Sequence, residues 1–404
     1  MARKMKDSGI EWIGEIPEGW EVIPIKYLAR YNYDTLTESC SPDFEFNYID
    51  IGSVTYGKGI TTFQKFKFKD SPSRARRVVT PGDILISTVR TYLRAIACVN
   101  KSSIPQIAST GFLVLQADSS KLPPQFLMYA VLADSFICNV EAHSVGISYP
   151  AINASQIVHF KIPLPPSTEQ IPLINYLDNH CSKIDVLLSK IHSSIEEYKK
   201  LKQAVITQAV TKGVRGEREM KDSGVEWIGE IPAEWSVAKA KYYVTITHGS
   251  DPKTEGSIPV YGSGAESFKT CGEYKEGPTV LIGRKGATLH IPHYIEGKYW
   301  NVDTAFDVKA KNNFSLPYYY YLATSFDYKF YISQTTLPGM TQSNYYNMFL
   351  PFPTFPEQEE IVNYLDAKCA EIDKLIAKKE QLVKELESYK KSLIYEVVTG
   401  KREV

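Results

Sequence analysis

Apolar residues recur along two stretches of the chain in a pattern that only a long helix satisfies. Between residues 169 and 211, Ile184, Leu188, Ile191, Ile195 and Tyr198 step by 4, 3, 4 and 3, and Val205 and Ala209 resume the same line. That is the spacing of a coiled-coil seam. Between residues 357 and 399, Ile372, Ile376, Val383, Leu386, Leu393 and Val397 fall on an equivalent line, interrupted by one charged residue, Lys379. Each stretch predicts a helix of 43 residues, about 64 Å long at 1.5 Å per residue. Pro172 and Pro356 stand where a first turn tolerates proline, and Gly213 and Gly400 are the expected stops. An amphipathic helix of that length cannot hide its stripe alone, so each is expected to pack on the other.

The two stretches are copies of one another. EQIPLINYLDNHCSKIDVLLSK from Glu169 returns as EQEEIVNYLDAKCAEIDKLIAK from Glu357, with 16 identities over the 43 positions at a constant offset of 188. A second duplication lies upstream of each. MKDSGIEWIGEIPEGWEV, residues 5–22, returns as MKDSGVEWIGEIPAEWSV, residues 220–237, identical at 14 of 18 positions and offset by 215. The order is therefore box, variable module, helix, twice over, with the second module 27 residues shorter. The central connection TKGVRGEREMKDSG also resembles what the C-terminal TGKREV would make if joined to the N-terminal MARKMKDSG. The chain thus reads as a two-unit ring cut at one link. That calls for antiparallel helices about a pseudo-twofold axis, with the chain ends near one another.

Within the modules the period changes. Short β-rich runs such as 83–89 (DILISTV), 112–115 and 279–282 (TVLI) are bounded by PGD, STG and GRKG turns, which predicts small mixed α/β domains. Pro163, Pro165 and Pro166, then Pro351, Pro353 and Pro356, make stiff junctions into the helices. The predicted fold is α+β, with two mixed α/β modules joined by two long helices in an antiparallel coiled coil. Its domains are a first module at 1–165, a first helix at 166–213, a second module at 214–355 and a second helix at 356–404. Inside the first box, Trp12, Ile13, Ile16 and Trp20 read as apolar anchors and Gly14 and Pro17 as turn formers. The box is expected to be the joint that seats each module against a helix end, with a partner contact as the other reading.

Composition adds bounds. The chain has 404 residues, 43% of them apolar, and 46 basic residues balance 46 acidic ones, so its overall charge points to no partner. Six cysteines lie far apart without a CxxC pair, as expected of reduced thiols rather than a zinc ribbon or a disulfide framework. No apolar run approaches the length of a membrane span and no cleavable leader is seen, so a soluble, cytoplasmic protein is expected.

No catalytic constellation stands out. Tyr261 to Ala265 (YGSGA) lacks the third glycine and the strand-to-helix setting of a dinucleotide or S-adenosylmethionine loop. His290 and His293 flank Pro292 without a nearby carboxylate pair, so no metal site is assigned. Charge distribution says more. From Tyr56 to Lys101, Lys58, Lys65, Lys67, Lys69, Arg74, Arg76, Arg77, Arg90, Arg94 and Lys101 face only Asp70 and Asp83, a surplus of eight positive charges in a neutral chain. Such a window is the footprint of a nucleic-acid surface, the plainer alternative being a solvated basic face. In the second module Arg284 and Lys285 sit between two glycines in a turn after TVLI. There they are placed to reach phosphates or a guanine edge, although a plain β-turn reads equally well. Gln342, Ser343 and Asn344 follow Pro338-Gly339 in a predicted polar loop whose amides could read adenine or merely solubilise it. The aromatic run Tyr318 to Tyr321 reads as a half-buried element sooner than a stacking surface.

The duplicated DSGIEWIGEIPxxW box, the P-x-P junction and the EQ-x4-NYLD start of each helix (Glu169 to Asp178, Glu357 to Asp366) together carry a resemblance. Over essentially its full length the chain resembles the specificity subunit of type I restriction-modification systems. The resemblance implies that the modules are target recognition domains, each reading one half of a split, asymmetric double-stranded DNA site. The two helices would be the spacer between half-sites, at most some 19 base pairs at about 3.4 Å each. It also implies two modification (methyltransferase) subunits carrying S-adenosylmethionine and flipping out an adenine, joined by restriction and translocase subunits with ATP and Mg. No cofactor and no catalysis are expected of this chain itself. The rival from another class is a coiled-coil scaffold with two protein-binding modules, which leaves the basic window without a purpose.

Overall fold

The apolar seams form two helices close to the predicted ranges, here α1, Ser167–Lys212, and α2, Phe355–Val398. They belong to a computed structural model that describes residues 3–264, 266–311, 313–328, 331 and 339–404, so that Ala265 of the YGSGA run and Pro338 lie outside the described residues. Pro356 is the second residue of α2, but α1 starts two residues before Glu169, which places Pro172 in its second turn. Both helices stop as expected. Gly213 and Gly400 adopt φ of +75° and +70°, the left-handed conformation of a glycine following a helix end. Gly400 also has no room for a side chain, since a Cβ there would stand 2.5 Å from the Pro17 ring and 3.1 Å from the Trp20 indole. Gly400→Ala is expected to cost more than the roughly 1–2 kcal/mol of a left-handed L residue, read as a fall in Tm by calorimetry.

The chain divides into two compact units, Met1–Lys190 with Leu382–Val404, and Ile191–Gln381. Each holds one module, part of α1 and part of α2. In the first unit the start of α1 and the end of α2 meet the same indole: Trp20 Nε1 donates to Glu169 at 3.0 Å, and Gly400 lies against its far edge. Farther in, Lys390 of α2 bonds Asp185 of α1 at 2.6 Å, so the two segments run antiparallel. Arg3 stacks on that indole 5.4 Å away, so the two ends of the described chain converge here. Ile184 and Leu393 are buried in one core with Leu188 and Leu386 at its margin, continuous with Phe126 and Phe136 of the module.

In the second unit the end of α1 meets the start of α2, with Gly213 beside Glu357 and Lys202 bonding Asp373 at 2.6 Å. These segments are antiparallel too. Ile195 and Ile372 are buried, while Ile191, Tyr198 and Ile376 are half-buried; Val383, which belongs to the first unit, is 8% exposed. The charged exception in the seam is accommodated, because the Lys379 ammonium lies 5.5 Å from the centre of the Tyr198 ring. Among the described residues no helix is long and apolar enough to cross a membrane.

Both modules have one topology. The first carries an antiparallel sheet in the order 96–98, 84–87, 112–117, 29–31 and a second sheet in the order 64–67, 45–49, 106–109, 75–79. The second repeats both orders with 293–295, 279–283, 305–310, 244–248 and 267–271, 258–261, 298–301, 275–276. Each has one parallel pairing at the same place, 45–49 with 106–109 and 258–261 with 298–301. The aromatic run of the second module is the buried helix Leu316–Ser325, with Tyr318, Tyr319 and Tyr321 all under 7% exposed.

The box folds into a hairpin, Met5–Asp7 with Glu15–Pro17, and again Met220–Asp222 with Glu230–Pro232. Its exit strand then pairs with the P-x-P strand, Glu21–Pro24 with Lys161–Leu164 and Ser236–Lys239 with Phe349–Phe352, which closes each module at the helix. The EQ-x4-NYLD residues hold that joint. Trp20 donates to Glu169 and Trp235 to Glu357, both at 3.0 Å. An arginine completes each pair, Arg3 to Glu169 at 2.5 Å and Arg218 to Glu357 at 2.6 Å, stacked over its tryptophan. Gln170 and Gln358 each donate 3.0 Å to the carbonyl of Pro165 or Pro353. Asp178 and Asp366 accept from Tyr129 and Tyr321 at 2.6 and 2.5 Å. The box is thus a structural joint built twice.

Candidate nucleic-acid interface

The central strand of the first module's antiparallel sheet, Ile84–Ser87, runs into Thr88-Val89-Arg90. Three backbone bonds fix that exit: Thr88 N–H to the Gly111 carbonyl at 2.9 Å, Ile152 N–H to the Thr88 carbonyl at 2.9 Å and Arg90 N–H to the Pro150 carbonyl at 2.7 Å. Arg90 takes a left-handed φ of +51°, and its guanidinium lies 4.8 Å from the centre of the Tyr149 ring. Arg74 comes to the same place from the second sheet, its carbonyl accepting from Thr110 N–H at 2.8 Å. The result is a cleft of about 320 Å³ lined by Arg74 and Arg90 with Asp50, Gly52, Ser109 and Tyr149. Both arginines are exposed, and neither guanidinium is ion-paired or hydrogen-bonded among the described residues. Two free guanidinium forks, a carboxylate, a hydroxyl and an aromatic face form a set suited to base edges and phosphates.

The second module repeats the frame with other side chains. Arg284 N–H donates to the Thr304 carbonyl at 2.8 Å and Met340 N–H to the Arg284 carbonyl at 2.9 Å, while Lys285 bridges to Gly339. Arg284 and Lys285 therefore stand where the first module has Thr88 and Val89. Lys285 is exposed; Arg284 is half-buried, with Nη1 donating to the Asp303 carbonyl at 3.0 Å and facing its carboxylate at 3.3 Å.

Other residues of the basic window have internal work. Arg94 is fixed between Glu141 and Asp134 at 2.8 and 2.7 Å, and the hydrogen bond to Glu141 raises its pKa above the usual guanidinium range. Arg76 bonds Glu38 at 2.9 Å and stacks on Phe68. Arg77 is half-buried in Ala75–Val79 with Thr35 Oγ1 at 3.5 Å, and burial lowers its pKa. Lys67 lies on an edge strand between Asp43 and Glu45, at 3.7 and 3.9 Å. Lys58 and Lys101 are exposed but do not line the cleft. The neutralising acids Glu38, Asp43, Glu45, Asp134 and Glu141 all come from outside the window, so a count along the sequence overstates the surface charge. Arg94→Ala is expected to cost about 2 kcal/mol through the lost charged hydrogen bonds, seen as a lower Tm with DNA affinity unchanged.

The predicted polar loop is the helix Gln342–Asn347, capped by Thr341. Gln342 Nε2 donates to the Ile246 carbonyl at 2.6 Å and Asn344 Nδ2 to the Tyr331 carbonyl at 2.9 Å, so each amide is anchored to backbone through one of its donors. Ser343 Oγ accepts from Asn347 at 3.3 Å. His293 is half-buried, its pKa lowered by that burial, and no group of three or more metal-ligating side chains occurs among the described residues.

Asp50, Ser109 and Tyr149 escape a reading by charge window. They carry no shared motif, and Tyr149 comes from a loop far along the chain whose backbone pins Arg90. Arg3 and Arg218 had a legible signal, since they sit two residues before the box at its own offset of 215.

Comparison with known proteins agrees with this architecture. The type I restriction modification DNA specificity domain matches residues 17–197 and again 237–385. The putative type I restriction enzyme MjaX specificity subunit of Methanocaldococcus jannaschii is 24% identical, over 96% of this chain and 95% of its own length. The type I restriction enzyme HindI specificity subunit of Haemophilus influenzae is 22% identical over 42% of this chain and 38% of its own. Among solved structures, a chain from a type I R-M system studied for complex assembly and conformational transition superposes with a TM-score of 0.77 at 21% identity, covering 96% of this chain and 99% of that one. The HsdS subunit from Thermoanaerobacter tengcongensis gives 0.52 at 22% identity, covering 96% and 98%. The structures speak for the fold alone, while the family match, in two segments that each run from a module into its helix, speaks for descent: the chain belongs to the type I restriction-modification DNA specificity family.

Proposed function

We propose that this chain is the non-catalytic DNA specificity subunit of a type I restriction-modification complex, each module reading one half of a bipartite, asymmetric site. The observation that carries this is one two-sheet topology built twice on identical joints while the side chains at the strand exits differ. A shared frame with Arg74, Arg90 and Tyr149 at one exit and Arg284 and Lys285 at the other fits two different half-sites. In the first module an arginine fork reaches guanine O6 and N7 in the major groove, and the neighbouring cations hold phosphates. The chain works in the cytoplasm with two modification subunits, which bring S-adenosylmethionine and methylate a flipped adenine, and with ATP-driven, Mg-dependent restriction and translocase subunits.

The test is to map methylated adenines across the genome of a host expressing this chain with its modification subunit. A split motif with a fixed gap is the expected result, and changes confined to the first module should alter one half of it only. Methylation without a split motif, or no sequence-specific gel shift at any salt concentration, would leave the protein-scaffold reading in its place.

A further inference from the structure

Beyond the box and the helices the modules share little sequence, yet one exposed dipeptide is kept in both. Lys26-Tyr27 recurs as Lys241-Tyr242, at the same offset of 215 as the box. Each pair closes a 3-10 turn, Ile25–Tyr27 or Ala240–Tyr242, whose first residue is buried. The backbone of that first residue is tied down, Ile25 N–H to the Phe160 carbonyl at 3.1 Å and Ala240 N–H to the Met348 carbonyl at 2.8 Å. The lysine ammonium sits over the tyrosine ring at 5.0 Å in one module and 5.1 Å in the other. A second lysine supports each turn, with Lys121 donating to the Tyr27 carbonyl at 3.1 Å and Lys311 to the Lys241 carbonyl at 2.6 Å. In the first module the pair lines a cavity of about 400 Å³ with Arg30, Gln116 and Asp118.

Burial explains why the box residues are kept, but Tyr27 and Tyr242 are 59% and 62% exposed. An exposed pair shared by two otherwise different readers points to something that meets both halves in the same way. Base edges do not, because the half-sites differ. The position also argues against base readout. Strand Phe112–Ala117 runs from the cleft end of its sheet to the Lys26 end, with Phe112 opposite Ser87 and Ala117 opposite Ala29, five steps or about 17 Å. Between a protein surface and a phosphate backbone, the chemistry favours protein. Phosphate recognition needs free cations, yet the counterpart of Arg30 in the second module is Thr245, Lys309 opposite it is held by the carbonyls of Glu276 and Pro278, Lys121 and Lys311 are bonded to the turns themselves, and Asp118 adds a carboxylate to the first cavity. What persists facing outward is the tyrosine with the lysine over its ring, and tyrosine is a residue type enriched at protein interfaces as an anchor.

We infer that Lys26-Tyr27 and Lys241-Tyr242 are two copies of one protein-docking surface, each seating a modification subunit. The complementary patch offers a carboxylate or carbonyl to the lysine and an apolar shelf to the tyrosine. This rests on the reading that two such subunits join the chain. The test mixes the full-length wild type, Tyr27→Ala, Tyr242→Ala and the double variant with the modification subunit and counts bound copies by native mass spectrometry. DNA affinity of each chain alone is titrated against salt in parallel.

Two copies, one, one and none are expected, with DNA affinity and its salt slope unchanged, and Lys26→Glu and Lys241→Glu are expected to repeat the single losses. A wild type that binds fewer than two copies brings down the two-subunit reading and the inference with it. If the wild type and every variant bind two, only the docking surface is refuted. Variants that keep both copies but bind DNA more weakly with a shallower salt slope would make the surface a phosphate contact and likewise refute it.

Discussion

Glu357→Ala is expected to destabilise the second unit by about 2–3 kcal/mol, the cost of removing a buried carboxylate that accepts from both a guanidinium and an indole. The Glu357 side chain is 2% exposed and accepts from Arg218, itself 13% exposed, at 2.6 Å and from the Trp235 indole at 3.0 Å. Truncation leaves the Trp235 indole N–H without its acceptor and the Arg218 guanidinium with only the exposed Glu234 carboxylate and the Lys212 carbonyl, both at 2.9 Å, in a site where a Cβ on neighbouring Gly213 would already collide with Arg218. The carboxylate also stands in the first turn of α2, where the helix dipole favours a negative charge. The duplicate joint provides an internal control. Glu169 makes the same contacts with Arg3 and Trp20, but its side chain is 35% exposed, so water screens what it loses. Glu169→Ala is therefore expected to cost clearly less, and Glu357→Gln, which keeps an acceptor for the indole, to fall between. Equilibrium denaturation of the three variants decides it; equal losses for Glu169→Ala and Glu357→Ala would show that burial is not what sets the strength of this joint.

The frame was legible because it is periodic and duplicated. A 4-3 apolar step is a direct image of helix geometry, and Gly213 and Gly400 mark ends that only a left-handed residue closes. Repetition made the box and the EQ-x4-NYLD segment visible without showing what they do. That Glu169 accepts from Trp20 is a contact between residues 149 apart, and no local pattern encodes it. The candidate site was less legible for the same reason. Charge density along the chain does not show that Arg94 is neutralised by Asp134 and Glu141, which helix Asp134–Ala142 brings back to it from 40 and 47 residues away. Gln342 and Asn344 look like loop amides in the sequence because a six-residue helix carries too little periodicity to register. Tyr149 could not be found at all, since only the tertiary bond between Arg90 N–H and Pro150 places it under a guanidinium.

Arg90→Lys is expected to weaken binding to the recognised DNA site about 10- to 100-fold, in line with the roughly 1–3 kcal/mol of discrimination in a bidentate arginine–guanine pair. Lysine keeps the charge but not the planar fork, and it stacks less well on Tyr149, so a residue that reads a base suffers while one that merely meets a phosphate hardly changes. Sequence preference in the first half-site should relax while non-specific affinity and the salt slope stay near those of the wild type. Arg90→Ala removes the charge as well and should lower both affinities and flatten the slope. Because Arg90 already holds a φ of +51° that alanine and lysine tolerate no worse, stability should be nearly the same in all three chains. Arg74→Lys provides the second arm, since that arginine reaches the cleft from the other sheet. Retained preference in both lysine variants, with only the alanine variants weakened, would mean that the cleft holds phosphate and that the bases of the first half-site are read elsewhere in the module.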